Sequence, residues 1–201
     1  PPRRAVGELL LASTTLPFLD RQNAGVVAEA LGLGGDLHAV DTGGSQRAAT
    51  GALIHGLRSE GPALVLGADR PLSKPSSTME MLAGDGAAAL LLGSEDVLAR
   101  FVGSHSVACD LVDHYRGAQA RYDYVLEERW VREEGYLKIV PRAVAGLLGK
   151  TGVAPAQIDR FVLGGLQDGA ARAVAKACGI AESAVQPGLI EKCGYSGCAY
   201  P

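Results

Sequence analysis

Short apolar runs alternate with longer amphipathic stretches along this chain, the pattern of strands covered by helices rather than of a sandwich or a bundle. The runs at 9–12, 37–40, 63–66, 87–92, 100–105 and 160–163 have the length of buried strands. The stretches 22–31, 45–57, 136–148 and 169–178 carry helical periodicity. Gly32 and Gly149 are the expected helix stops, because glycine accepts the left-handed C-terminal conformation cheaply. Pro141 removes a backbone donor, so the third helix is expected to start near it or to kink. Residues 116–134 are charge-rich around Trp130 and read as a solvated helix or an inserted lid.

The chain has 27 Gly and only 5% aromatics, so its elements can approach closely but offer few stacking surfaces. A net charge of −3 supplies no basic field for nucleic acid. The longest apolar runs, such as 86–93, fall short of the roughly 20 residues of a membrane helix. No secretory signal opens the chain. Cys109, Cys178, Cys193 and Cys198 form no CxxC pair and have no histidine at zinc-ligand spacing, so buried thiols in a reducing cytoplasm are expected, with no metal site.

Three ordered stretches carry more specific information. They are LLASTTLPFLDRQNAGVVAEALGLG from Leu10, VDTGGSQRAATGAL from Val40, and the region that opens with LVLGADR and closes with GDGAAALLLG. With the later LVDHYR and EERWVREEGYLKIVPRA, this order resembles the thiolase superfamily, nearest to 3-hydroxy-3-methylglutaryl-CoA synthases and type III ketoacyl-acyl-carrier-protein synthases. The resemblance covers nearly the whole chain. It implies a layered αβαβα fold built from two related halves, here 1–95 and 96–201. It also implies that both halves are incomplete at their outer ends, leaving sheet edges that a longer chain or a partner would cover.

In that family a cysteine at a strand-to-helix turn takes the acyl group from CoA, helped by the helix N-terminus, and a histidine and an asparagine hold the developing charge. Carried onto this chain, the nucleophile position falls on Gln46, the histidine position on Gly164 in the stretch 164–167, and the asparagine position on Tyr195. The catalytic glutamate of the synthase branch falls on Thr14. All four positions have lost their side-chain type.

Three residues offer a non-standard site. Ser45 is the hydroxyl next to the nucleophile position but has no adjacent base. Cys198 lies beside the degenerate turn where the family has a small alanine, so packing is the expected role. His114 is flanked by Asp113, which could orient it as a base, although a structural hydrogen bond is the expected role. His38, His55 and His105 show no partner pattern.

The resemblance therefore implies a non-catalytic thiolase-like subunit that supports an active homologue in an acyl-CoA acyltransferase complex. A thiolase-like chain and a small OB-fold protein with a zinc ribbon are the implied partners. The alternatives are an active acyltransferase or condensing enzyme with a non-standard site, and a module that binds acyl-CoA or an acyl carrier without chemistry. Acyl-CoA is the implied ligand, with no permanently bound cofactor.

Overall fold

Glu8–Ala12 forms β1, and all five residues are buried, as a strand packed on both faces requires. In the computed structural model, which describes residues 5–166 and 169–200, β1 pairs in parallel with β2 (His38–Thr42) and with β3 (Ala63–Asp69). β4 (Gly86–Leu92) runs antiparallel to β3, giving the order β2-β1-β3-β4. The four apolar runs at 9–12, 37–40, 63–66 and 87–92 are thus strands of one mixed sheet.

Helices cover this sheet on two sides. Between β1 and β2, α1 (Asn23–Ala30) packs Ala24 and Val27 against Leu9 and Leu11. Between β2 and β3, α2 (Ala48–Gly56) packs Ala52 and Leu53 against Leu10 and Val65. Alternate residues of β1 therefore feed two cores on opposite faces of the sheet, which is the α/β layering read from the sequence. Burying Leu9, which is fully inaccessible, contributes about 1.5–3 kcal/mol relative to leaving it in water.

By their contacts the residues divide into two units. Among the described residues, the first holds 5–71, Ala83–Phe101 and Cys193–Tyr200 and contains the whole four-stranded sheet. Its last segment returns to β3 and β4 and lies against them as a strap. A side chain at Gly67 would collide with the carbonyl of Cys198, and one at Gly84 with the carbonyl of Cys193, so glycine is what lets the strap lie so close. The Gly84 amide donates to the Tyr195 carbonyl at 3.0 Å.

The second unit holds Leu72–Leu82 and Val102–Lys192. It contains α3 (Thr78–Leu82), a two-stranded hairpin of β5 (His114–Tyr115) and β6 (Tyr124–Val125), α4 (Glu128–Trp130) continued by a π-helical turn, α5 (Ile139–Thr151) and α6 (Ala170–Ala177). Val144 of α5 and Ala175 of α6 pack with Ile180, Ala184 and Phe161.

Two expected strands do not form. Residues 100–105 carry no regular structure, and 160–163 yields a single bridge from Phe161 to Val185. In 100–105 only Phe101 and Val102 are apolar, and among the described residues neither run has a neighbouring strand to complete a ladder. The segment 116–134 becomes part of the hairpin and the short helical turns after it rather than one helix. The helix expected over 136–148 starts at Ile139, which leaves Pro141 in the first turn where no backbone donor is needed. It runs past Gly149 and stops at Gly152, which takes the left-handed conformation at φ 70°.

Candidate functional site

Parallel strands gather their carboxyl ends on one rim of the first unit, the rim where open α/β sheets place ligands. Asp69, the last residue of β3, is 5% exposed and is the centre of this rim. Its Oδ1 accepts the Ser13 hydroxyl at 2.9 Å, the Thr14 amide at 2.7 Å, the Thr14 hydroxyl at 3.2 Å and the Thr15 hydroxyl at 2.9 Å. Its Oδ2 accepts the Cys198 amide at 2.7 Å. Burial alone would raise this carboxyl, but the Cys198 and Thr14 amides and the Thr15 and Ser13 hydroxyls outweigh it and hold Asp69 below the ordinary carboxylate range. One carboxylate thus joins the loop after β1 to the strap.

Thr14 is committed to this knot through both its amide and its hydroxyl. Gln46 precedes α2, and its Oε1 accepts the hydroxyl of Tyr195 in a short hydrogen bond. The tyrosine ring also stacks at a tilt on Tyr200, with centroids 5.3 Å apart. The positions expected to hold nucleophile and asparagine therefore meet in space, and their present side chains bond each other.

Cys198 is buried, and its thiol lies 3.6 Å from the Gln46 carbonyl. Burial pushes this thiol up to about 12, with the negative charge of Asp69 adding to the effect. At neutral pH it is a neutral thiol, the unreactive form. Ser45 is exposed, and among the described residues no base lies against its hydroxyl.

Gly164 and His114 lie in the second unit. Gly164 is exposed and Gln167 lies outside the described residues. His114 Nδ1 is 2.8 Å from Asp113 Oδ1, and the same oxygen accepts the His114 amide. The Asp113 contact raises the imidazole above its ordinary value although burial opposes it. Arg116 and Asp123 pair at 3.0 Å beside it.

The histidines read as partnerless are not all so. His38 and His55 converge on Glu8, at 3.2 and 2.8 Å, while the ring of His105 lies against Gly146 in the second unit. Their link was hidden because Glu8 carries no signal of its own beyond being a carboxylate at the head of an apolar run. The role of Asp69 was missed likewise, though three successive hydroxyl residues after a buried strand, Ser13 to Thr15, call for a buried acceptor.

A groove of about 520 Å³ lies beside the knot, with Leu16, Phe18 and Val27 on its walls and Asp69, Arg70 and Asp85 at its edge. Among the described residues, no group of three or more His, Cys, Asp or Glu is placed to hold a metal ion. Among those residues, too, no helix is long and apolar enough to cross a membrane.

No protein-family model matches the chain. It is 30% identical over 194 residues to a hydroxymethylglutaryl-CoA synthase of Thermococcus sibiricus, a match covering 93% of this chain and 55% of that protein. A hydroxymethylglutaryl-CoA synthase of Pyrococcus furiosus is 30% identical over 181 residues, covering 87% and 51%. The chain thus spans about half the length of the curated relatives it matches. Among solved structures, the β-ketoacyl-[acyl carrier protein] synthase III of Thermus thermophilus superposes with a TM-score of 0.81 at 19% identity, over 98% of this chain and 66% of that one. MvaS in complex with 3-hydroxy-3-methylglutaryl coenzyme A gives 0.79 at 19% identity, over 98% and 58%. At such identities these likenesses speak for the fold.

Proposed function

The chain is a thiolase-like protein, similar to hydroxymethylglutaryl-CoA synthase and to ketoacyl synthase III, and from that premise we propose that it is the non-catalytic subunit of an acyl-CoA acyltransferase assembly. The observation that carries the proposal is the Tyr195 to Gln46 hydrogen bond. An amide at the nucleophile position cannot take an acyl group, and here it is engaged by the residue at the position expected to stabilise charge.

Three further features support the same reading. Thr14 is spent on Asp69 and leaves no acid or base at its position. The Cys198 thiol is too weak an acid to supply a thiolate at neutral pH. Ser45 lacks the adjacent base that would activate it. Under this proposal the partner is a thiolase-like chain that carries its own active cysteine, joined by a zinc-ribbon OB-fold protein.

A second reading, reversible binding of acyl-CoA without chemistry, is favoured by the groove beside Asp69. The structures of HMG-CoA synthase complexed with CoA and of MvaS with 3-hydroxy-3-methylglutaryl coenzyme A show such ligands on proteins of like fold.

Incubation with radiolabelled acetyl-CoA, followed by intact mass measurement, separates these readings. The subunit proposal expects no adduct. It also expects an acyltransferase activity, in a complex with a cysteine-bearing homologue, that survives replacement of Ser45, Gln46 and Cys198 by alanine. A stable adduct on Ser45 or Cys198 overturns it, whereas CoA retention without an adduct or a partner selects the binding module.

A further inference from the structure

At the end of the sheet away from Asp69, the first unit carries a second polar cluster that the acyl-transfer chemistry does not use. Glu8 opens β1, and its side chain is only 12% exposed. Its Oε1 lies 3.2 Å from His38 Nδ1 at the start of β2 and 2.8 Å from His55 Nε2 in the last turn of α2. Its Oε2 accepts the Ser59 hydroxyl in a short hydrogen bond. Three segments lying 30, 47 and 51 residues further along the chain therefore end on one carboxyl group.

The surroundings make this group the natural point of control. The imidazoles are 68% and 61% exposed, so solvent reaches the cluster through them while Glu8 stays covered. β3 brings only Ala63 opposite Glu8. From α2 and the turn after it come His55, Arg58 and Glu60, which line a shallow cavity of about 450 Å³ with Ser59. Each contact asks Glu8 to accept, which the ionised carboxylate does with both oxygens, whereas the protonated acid must spend one oxygen as a donor.

We propose that Glu8 is a proton-operated clasp: ionised, it gathers the start of β2, the end of α2 and the following turn, and protonated, it releases that rim while the β1–β3 ladder stays closed. Burial raises this carboxyl, but Ser59, His55 and His38 outweigh that and hold it below its ordinary value of 4.5. A depressed carboxyl contributes stability that is complete above its unfolded value and is lost as pH falls through its folded value. The clasp therefore opens on the acid side of 4.5.

Amide hydrogen exchange on the whole chain, corrected for intrinsic rates and read near pH 6 and at about pH 3.5, tests the clasp. Acid is expected to lower protection at 38–40 and 55–59 relative to 64–66, by up to about tenfold for each pH unit between the folded and unfolded titrations. In Glu8→Gln those amides should already be less protected near pH 6 and show no extra loss in acid. His55→Asn, which removes one arm and leaves the carboxyl, should show a reduced acid response and serves if Glu8→Gln does not fold. Equal acid sensitivity at 64–66, or a full acid response in either variant, overturns the proposal.

Discussion

The hydroxyl of Tyr195 donates to the side-chain carbonyl of Gln46, a residue 149 positions earlier in the chain. The two positions onto which the family resemblance carries the nucleophile and the asparagine are thus joined by a hydrogen bond. Tyr195→Phe deletes the donor and keeps the ring, so it is expected to cost about 1 kcal/mol, read as a lowered midpoint in urea. Acyl labelling should be absent before and after the change. A variant that gained an acyl adduct would show that the tyrosine merely masks a competent site.

Asp69 is expected to be the costliest polar residue of the rim. Asp69→Asn removes the charge from five hydrogen bonds and should destabilise by about 1.5–3 kcal/mol. Because the folded carboxyl lies below its ordinary 3.8, its contribution is present above that value and disappears as pH falls through the folded titration. Denaturant titrations between neutral pH and about pH 3 should accordingly show a steeper acid loss in the native chain than in the variant.

The same substitution bears on Cys198. In the native chain, alkylation at mildly basic pH should modify the exposed Cys109 and Cys193 and spare Cys198. Asp69→Asn removes the neighbouring charge, so Cys198 should ionise more readily and react faster. Peptide mapping after a timed pulse of iodoacetamide reads both outcomes.

Glycine placement under the strap gives a paired test. Gly67→Ala drives a methyl group into the Cys198 carbonyl and should cost about 1–3 kcal/mol by overpacking. Gly51→Ala lies in α2 with open space around it and should instead stabilise by about 0.5–1 kcal/mol. Thermal midpoints moving in the same direction would contradict the close fit of the strap.

For His114 the sign reverses. Its folded value is raised above 6.5 by Asp113, so its contribution is complete below the unfolded value and is lost as pH rises through the folded one. The titration of the His114 ring proton in NMR spectra should have a midpoint above 6.5, and Asp113→Asn should bring it down.

The central sheet was legible in the residues, and the reasons are local. β1, β2, β3 and β4 are apolar runs that find partners in one another, so pattern and tertiary structure agree. The run at 160–163 is also largely apolar, whereas 100–105 holds only Phe101 and Val102 as apolar residues; strandness is in any case a property of a pair, and one sequence does not announce a missing neighbour. The meeting of Gln46 and Tyr195 could be anticipated from the family resemblance. No spacing rule could have found Glu8 with His38 and His55, since a strand head, a second strand head and a helix end meet only once the sheet is registered.

The strap also has a consequence for the order in which the chain becomes a protein. Every strand of the first unit has been synthesised once Leu92 has emerged, yet Asp69 and Gln46 wait for residues 193–200, about a hundred positions later. Through that interval a buried carboxylate stands without its Cys198 donor, and the beds at Gly67 and Gly84 lie open. Contacts over so long a separation form late, because loop closure costs entropy before the contact repays it. Synthesis of the strap, rather than of the sheet, sets the earliest moment at which Asp69 and Gln46 gain these partners.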